Sequence, residues 1–560
     1  MAMITMIKKR DGRQVPFNIE KIANAIFKAA QTVGGKDYSE AMELADKVCQ
    51  QLSEEVIGRD PSVEEVQDMV ERVLVEQGHA KTAKAYILYR ADRTRAREMN
   101  STLMKIYEDL TFMSASDCDI KRENANIDGD TAMGTMLKYG SEGAKQFNEM
   151  YVLDPKHSQA HINGDIHIHD LDFLTLTTTC CQIDLLKLFH GGFSTGHGYL
   201  REPNDISSYA ALACIAIQSN QNDQHGGQSV PIFDYAMAEG VKKTFRRLYT
   251  TNLAKAVSFT LGIEDYTEVL EEFKLIAGDI AKEYGLYPSL QNNDEYKAKE
   301  WEIASAKYGD EFSHLQDRAE KLAESETDRA TYQAMEALIH NLNTMNSRAG
   351  AQNPFSSINY GTDTSPEGRM VIKNVMLAEE HGLGNGETPI FPIHIFKVKE
   401  GVNYNPGDPN YDLFKLAIRV SAKRMFPNFS FIDAPFNLQY YKPGHPETEI
   451  AYMGCRTRVM GNVYDPDREI APRRGNLSFT SINLPRIAIE ANGNVDVFFK
   501  VLQERMELVI DQLNERFRII SNKRVKNFPF LMGEGVWIDS EKLSWNDKVG
   551  EVLKHGTMTI

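Results

Sequence analysis

The sequence has few cysteines, no long apolar run and no excess of positive charge. Only six cysteines occur in 560 residues, and no two of them are spaced as C-x-x-C. So few thiols cannot form a disulfide framework, and we expect a reducing, cytoplasmic setting. No stretch of about 18 apolar residues occurs, which argues against a membrane span. The start, MAMITMIKKRDGR, lacks the apolar core of a signal peptide.

Acidic residues outnumber basic ones, with 79 Asp and Glu against 63 Lys and Arg, for a formal charge of −16. A protein that binds bulk duplex DNA normally has a basic surface, so we expect no nucleic-acid partner. Local basic pockets can still hold small anions. A hydrophobic content of 42% and a charged content of 25% are ordinary for a soluble globular enzyme.

The chain divides by pattern into a small front module, residues 1–97, and a large body, residues 98–560. In the module, strand-like pieces around MITMIKK and QVPFN flank a turn at Asp11-Gly12, and amphipathic helices follow. One of these helices begins with a capping box formed by Ser62 and Glu65. The pattern predicts a small α+β module.

In the body, apolar helical stretches such as ISSYAALACIAIQ alternate with short strand-like runs such as GDIHIHD, ETPIFPIHIF and LSFTSINLPRIAI. This alternation favours an α/β fold. The stretch from Tyr296 to Glu326 is strongly charged, and we expect it to form an exposed helical insertion.

A basic turn lies near the start of the front module. Its cations surround Gly12, and Lys21 begins a helix just after Asn18, with Ile22 beside it; the cations of the turn are Lys8, Lys9, Arg10 and Arg13. Clustered cations and free N–H groups at a helix start suit a phosphate chain. The alternative is a solvated basic turn, because neither a phosphate-loop nor a dinucleotide glycine motif occurs there.

Two histidines, His167 and His169, alternate within the run DIHIHD. On a strand they lie on one face, where an H-x-H pair can bind a metal, contact a polar substrate or serve only the structure. The residues alone do not decide between metal binding, substrate contact and a structural role.

The cysteines differ in their surroundings. Cys180 and Cys181 are adjacent, so an extended backbone directs their side chains to opposite faces. Cys455 lies in the glycine-flanked stretch AYMGCRTRVMG beside two arginines, which suits a reactive thiol on a tight loop. Asn476 precedes the strand SFTSINLPR, either as a turn residue or as a neutral donor and acceptor in a cavity.

Together these segments resemble a known family. The front module, with IKKRDGRQVPFNIEKIANAIFKA and GHAKTAKAYILYR, is similar to the ATP-cone of ribonucleotide reductases. The body resembles the anaerobic, class III ribonucleoside-triphosphate reductases. Its matching stretches include GDIHIHDLDF, TTTCCQIDLL, AYMGCRTRV and GNLSFTSINLPRIA.

The resemblance implies a ten-stranded α/β barrel with an internal finger loop. It implies that Cys455 becomes a transient thiyl radical that abstracts the ribose 3′-hydrogen, that Cys180 donates a hydrogen at C2′, and that Asn476 bonds the ribose hydroxyls. It places His167 and His169 near the substrate or near formate, which serves as the reductant.

The resemblance also implies partners and cofactors. Expected are ribonucleoside triphosphates, formate, a radical-SAM iron–sulfur activating enzyme and a homodimer with higher nucleotide-dependent oligomers. The family's four-cysteine zinc site and glycyl-radical loop have no counterpart before Ile560. We therefore expect no metal in this chain and no turnover by it alone.

In the front module the resemblance implies that ATP permits activity and dATP suppresses it, each with Mg. The effector-binding residues would be Lys9, Arg10, Gly12, Asn18, Lys21 and Ile22. A second effector site is expected at a dimer interface, and we expect residues 218–227 to contribute to it.

Three alternative functions are compatible with the sequence. One is a glycyl-radical enzyme of the formate-lyase type, and another is a metal-dependent barrel hydrolase built on His167 and His169. The third is a nucleotide-sensing regulator without enzymatic activity.

Overall fold

The structure is a computed structural model. It describes residues 4–9, 14–57, 59–122, 127–309, 311–348, 350–454, 457–459 and 461–560. The chain forms two compact units, Met1–Asp109 and Leu110–Ile560. None of the described helices is long and apolar enough to cross a lipid bilayer.

The front unit is a short antiparallel hairpin followed by helices. Its elements are β1 (Met6–Lys8), β2 (Gln14–Pro16), α1 (Ile19–Thr32), α2 (Tyr38–Glu55), α3 (Val63–Glu76) and α4 (Ala80–Phe112). The apolar stripes of the helices meet in one core that includes Ile26, Val48 and Val70. The predicted capping box is confirmed, because Ser62 and Glu65 exchange hydrogen bonds at the start of α3. The predicted turn at Asp11-Gly12 lies outside the described residues.

The larger unit contains the remaining elements. Its helices and strands are α5 (Asp119–Arg122), α6 (Ala132–Phe147), α7 (Pro155–Ile162), β3 (Ile166–Ile168), β4 (Cys180–Gln182), α8 (Leu185–Phe189), β5 (Phe193–Ser194), β6 (Tyr199–Leu200), α9 (Ile206–Asp223), β7 (Gln228–Val230), α10 (Phe233–Leu261), α11 (Tyr266–Tyr284), α12 (Asp294–Tyr308), α13 (Phe312–Thr344), β8 (Ser356–Tyr360), α14 (Pro366–His381), β9 (Ile393–Val398), α15 (Tyr411–Arg424), β10 (Asn428–Phe431), α16 (Pro435–Leu438), β11 (Tyr452–Met453), β12 (Thr457–Arg458), β13 (Gly475–Ile482), α17 (Leu484–Ala491), α18 (Val495–Ser521), α19 (Gly550–Leu553) and β14 (Thr557–Thr559).

One mixed sheet organises this unit, and eight strands of the described chain belong to it. Strands β10, β9, β8, β7 and β4 run parallel in that order. Strand β13 pairs antiparallel with β4 and β3, and parallel with β14. The α/β class is confirmed, and the described sheet curls into a half-barrel, with eight strands where the resemblance implies ten.

The two faces of the sheet differ in polarity because side chains alternate along each strand. One face packs on the helices with residues of the main core; it includes Cys181, Val230, Ile358, Tyr360, Phe396 and Leu477. The other, which we call the polar face, carries Cys180, Gln182, Ser229, Ser357, Asn359, Lys397 and Asn476. Two of the candidate site residues, Cys180 and Asn476, lie on this face.

Two local expectations are wrong. The run LSFTSINLPRIAI is not one strand, because β13 ends at Ile482 and α17 begins two residues later, where Asn483 caps the helix through the backbone N–H of Arg486. The charged stretch from Tyr296 is not merely an exposed insertion. Tyr296 and Phe312 are fully buried in a core that α12 and α13 share with α10 and α11.

Candidate active site

A short segment, residues 449–454, lies across the polar face of the sheet; we call it the inner segment. Side chains of β4, β7 and β8 bind its backbone; the β7 side chain is Ser229, which donates to the Tyr452 carbonyl at 2.8 Å. Gln182 Nε2 donates to the carbonyl of Ala451 at 3.0 Å, and Asn359 both donates to the Tyr452 carbonyl at 3.0 Å and accepts from its N–H at 2.8 Å. Ser357 Oγ accepts from the N–H of Gly454 at 3.0 Å. The inner segment is therefore held by side chains rather than by a backbone ladder to the sheet.

Gly227 contacts both the inner segment and a cysteine. Its N–H donates to Cys180 Sγ at 3.3 Å. A Cβ on Gly227 would lie 2.6 Å from the Cα of Gly454, closer than real Cβ atoms approach backbone. Gly454 has φ of 49°, in the left-handed region that favours glycine. The two glycines thus bring the inner segment to the neighbourhood of Cys180.

Cys180 and Cys181 face opposite sides of β4, as predicted. Cys180 lies on the polar face with Met453 and Val459. Cys181 is fully buried in the main core, where burial raises the pKa of its thiol to about 12. Cys181 therefore stays protonated at neutral pH and faces away from the polar face.

Asn476 is the cross-strand partner of Cys180 in the antiparallel pair of β13 and β4. The sequence leaves it open whether Asn476 lies in a turn before the strand or lines a cavity; it lies within the strand and is fully buried. Its Nδ2 has no hydrogen-bond partner among the described residues. A buried amide donor without a partner costs on the order of 1–3 kcal/mol, so this group is suited to a ligand oxygen.

Cys455 itself lies outside the described residues. Its predicted role therefore remains a prediction here. The residue before it, Gly454, is described and lies against Gly227.

His167 and His169 lie on one side of β3, as the alternation predicts. Their ring centroids are 4.6 Å apart, and His161 lies 5.3 Å from His167. Burial, together with repulsion from His167, lowers the pKa of His169 to about 4, so that His169 is neutral at pH 7. Among the described residues, no group of three or more His, Cys, Asp or Glu side chains is arranged to hold a metal ion.

A cavity of about 870 Å³ opens beside these histidines. Its wall includes His167, His169 and His225, and it also includes Phe355, whose ring touches Gly454. Cationic side chains, among them Lys145, line it as well. The cavity is large enough for a nucleotide-sized ligand. Neither Cys180 nor Asn476 lines it, but Phe355 on its wall lies beside Gly227 and Gly454.

The turn that carries Gly227 is fixed by residues that sequence reasoning missed. Arg348 donates to the carbonyls of Gln221, Gln224 and His225 at 2.9, 2.7 and 3.0 Å. His225 Nε2 lies 3.1 Å from a carboxylate oxygen of Asp170. Burial opposes the charge on Asp170, but the hydrogen bond from His225 and the nearby Arg516 keep its pKa below the usual value. No local sequence pattern marks Arg348, which joins α13 to a turn more than 100 residues earlier.

Residues 218–227, expected at an effector site, form the end of α9 and this same turn. Asn220, Gln221 and Gln224 are buried, and Gln224 Nε2 donates to Thr178 Oγ1 at 2.7 Å. The segment thus packs beside Cys180. Nothing in the structure tests an effector role for it.

The front unit carries the second set of predicted residues. Lys9 follows β1, and Lys21 is exposed in the first turn of α1. Asn18 caps α1 by accepting from the N–H of Glu20, and Ile22 is in the core. Arg10 and Gly12 lie outside the described residues, so the complete basic turn is not seen.

Comparisons with known proteins show to which family the chain belongs. The family model described as anaerobic ribonucleoside-triphosphate reductase matches residues 123–560, and the ATP cone domain matches residues 5–95. The anaerobic ribonucleoside-triphosphate reductase of Salmonella typhimurium is 28% identical over 561 residues, covering all of this chain and 68% of that protein. The Escherichia coli protein of the same name is also 28% identical, over 562 residues, again covering all of this chain and 68% of its own length.

Among solved structures, the anaerobic ribonucleotide reductase from Thermotoga maritima in complex with dATP and CTP aligns with a TM-score of 0.47 and 13% identity. The alignment covers 82% of this chain and 65% of that one, so this chain spans about two thirds of the length of the proteins it matches. The family model alone covers well over half of the sequence. The chain therefore belongs to the anaerobic ribonucleoside-triphosphate reductase family, with an ATP-cone in its front unit.

Proposed function

We propose that this chain reduces ribonucleoside triphosphates to 2′-deoxyribonucleoside triphosphates by thiyl-radical chemistry. The observation that carries the proposal is the arrangement around Cys180. This thiol lies opposite the unpartnered amide of Asn476, and the glycine that precedes Cys455 packs against Gly227, whose N–H binds the Cys180 sulfur. Membership of the reductase family supports the same chemistry.

In this proposal, Cys455 removes the ribose 3′-hydrogen atom as a thiyl radical. Loss of the 2′-hydroxyl as water then becomes feasible, and Cys180 supplies a hydrogen at C2′. Asn476 donates from Nδ2 to a ribose hydroxyl, which satisfies a group that otherwise lacks a partner. The site must exclude water while the radical exists, and the fully buried polar face suits that requirement.

The 870 Å³ cavity is the proposed substrate pocket. Its cationic and imidazole side chains suit the phosphates of a nucleoside triphosphate, and His167 and His169 lie on its wall. We place formate, the proposed reductant, in the same cavity. In this placement formate supplies the reducing equivalents, so the reaction needs no second redox cysteine pair.

The front unit is the proposed regulatory site for ATP and dATP, held with Mg. Lys9 and Lys21 would contact phosphates, together with Arg10 and the backbone at Gly12. Asn18 and Ile22 would lie near the base. The proposal also includes a homodimer and an activating enzyme that installs a glycyl radical, with a structural zinc near that radical.

The test is formation of deoxyribonucleotide under strictly anaerobic conditions. The protein receives formate, a ribonucleoside triphosphate, ATP and a glycyl-radical source. That source is the radical-bearing segment of a curated relative, added in trans together with a radical-SAM activating enzyme. Product is measured by chromatography, and the radical by electron paramagnetic resonance. We expect deoxynucleoside triphosphate in proportion to radical, and isotopically labelled carbon dioxide from labelled formate.

The variants C455S and C180S should each abolish product while nucleotide binding persists. C214S is the matched control, since Cys214 is a buried cysteine on α9 away from the polar face. A measured radical with no deoxynucleotide would contradict the proposal. Pyruvate cleavage would favour the formate-lyase reading, and nucleotide hydrolysis dependent on added metal would favour the hydrolase reading.

A further inference from the structure

We propose that the buried ion pair between Lys397 and Glu449 is a positioning device. It fixes the register in which the inner segment lies along the polar face. This inference rests on the proposed function, because it concerns the placement of the thiol that the reaction uses.

The pair is buried at the start of the inner segment. Lys397 Nζ lies 2.9 Å from Glu449 Oε2, and the two side chains are 1% and 5% exposed. Thr362 Oγ1 donates to the same carboxylate oxygen at 2.8 Å. Burial raises the pKa of Glu449, while Lys397 opposes that shift.

A buried ion pair contributes little net stability to the folded state. Removing two charges from water costs several kcal/mol per ion, and apolar side chains of similar volume often replace such a pair without loss. The best-supported use of a buried polar group is to specify one arrangement among several similar ones. A role in register therefore explains the pair better than a role in stability.

The backbone contacts of the inner segment do not select one register. Within the part of the chain that the structure describes, its strand β11 pairs only with the two residues of β12. The bonds from Gln182, Asn359 and Ser357 all go to backbone groups. Backbone groups repeat along the chain, so a slip of two residues would offer equivalent partners to the same side chains.

Two contacts in this region belong to one register only. The close approach of Gly454 to Gly227 excludes other residues by collision, and the pair of Lys397 with Glu449 attracts one particular side chain. A slip of two residues in an extended chain moves it by about 6.6 Å, which would break both contacts.

The test is the double variant K397M/E449L, which replaces the ion pair with apolar side chains of similar size. We expect its free energy of unfolding, measured with denaturant, to equal or exceed that of the wild type. The distance between the two thiols is probed by oxidation with diamide. Two thiols form one disulfide, and diamide takes up the two hydrogens that they lose. The Cys180–Cys455 disulfide, followed by peptide mass spectrometry, should form at least tenfold more slowly in the variant.

The matched control is K399M/D433L. Lys399 and Asp433 form a pair of 2.6 Å in the same region, but the pair is partly exposed and binds no described residue of the inner segment. We expect wild-type rates of disulfide formation. Should K397M/E449L fail to fold, K397M/E449Q gives the same comparison, because it also removes both charges and the amide keeps the shape of Glu449.

The outcomes separate the two proposals. If the wild type forms no Cys180–Cys455 disulfide, the thiol arrangement behind the proposed function is wrong. If the wild type forms it and the folded K397M/E449L or K397M/E449Q protein forms it at the same rate, the proposed function survives and the positioning role of the ion pair is rejected.

Discussion

Gly227 and Gly454 pack backbone to backbone, with no room for a side chain on Gly227. A Cβ there would lie 2.6 Å from the Cα and 2.8 Å from the nitrogen of Gly454. Because the N–H of Gly227 also binds Cys180 Sγ, this contact couples the inner segment to the thiol on β4. The position of one cannot change without disturbing the other.

The substitution G227A should displace the inner segment. The added methyl group meets backbone atoms, which cannot rotate away, so we expect a loss of about 1–3 kcal/mol in unfolding free energy. We also expect weaker binding of ribonucleoside triphosphate by calorimetry. The control is G278A on α11, where an added Cβ meets nothing within 4 Å. There the protein should be stabilised slightly, since alanine favours the helix. Equal behaviour of the two variants would contradict the steric argument.

The substitution N476A should weaken the binding of a ribonucleoside triphosphate without a large change in the stability of the protein. It removes an amide donor that has no partner among the described residues, and also the long hydrogen bond of 3.3 Å that Oδ1 accepts from the Ser478 N–H. Because these two effects oppose each other, we expect the unfolding free energy to change by less than about 1 kcal/mol. If Nδ2 binds the ribose, the dissociation constant for a ribonucleoside triphosphate should rise about tenfold, which corresponds to one or two lost hydrogen bonds.

The control for this variant is N374A. Asn374 is equally buried but satisfied, because its Nδ2 donates to Asp328 at 2.8 Å and to the Met370 carbonyl at 2.9 Å. Its loss should destabilise the protein by about 1–3 kcal/mol and leave nucleotide affinity unchanged. An unchanged affinity in N476A, together with a large loss of stability, would assign Asn476 a structural role only.

The sequence predicts those parts of the site that depend on local patterns. The opposite orientations of Cys180 and Cys181 follow from alternation along a strand, and so does the shared face of His167 and His169. Resemblance to a family identified Asn476, but not its place inside β13. That place depends on pairing with Cys180 and Thr557, which are distant in the chain.

Contacts between charged residues that are far apart in the chain cannot be predicted from local sequence patterns. Lys397 and Glu449 are 52 positions apart, and each is an ordinary charged residue in its own neighbourhood. Arg348 likewise acts on a turn that precedes it by more than 100 residues. Such pairs are specified by the topology of the sheet, because only the folded arrangement brings their strands and turns together.

The double variant K9A/K21A tests the effector site of the front unit. Removing two cations that would hold phosphates should weaken dATP binding at least tenfold by calorimetry. The matched control is K28A/K36A, which removes the same charge from exposed positions in and after α1. Unchanged dATP affinity in K9A/K21A, or an equal loss in both double variants, would reject the predicted phosphate contacts.

A buried carboxyl group on α12 predicts a pH dependence of stability. Glu300 accepts hydrogen bonds from Tyr249, Tyr296 and Gln316, and burial raises its pKa from 4.5 to about 7 despite them. Below pH 4.5 both the folded and the unfolded chain keep the proton. As the pH rises towards 7, the unfolded chain releases it first, so unfolding becomes easier by up to about 3 kcal/mol.

The substitution E300Q removes this penalty, since the amide carries no charge at any pH. We expect E300Q and the wild type to unfold at similar denaturant concentrations at pH 4.5, and E300Q to be the more stable protein at pH 8. The control is E302Q on the same helix, at an exposed side chain paired with Lys299, where exposed pairs contribute little. A wild type that gains stability relative to E300Q as the pH rises would show that the charged form is the one stabilised in this core.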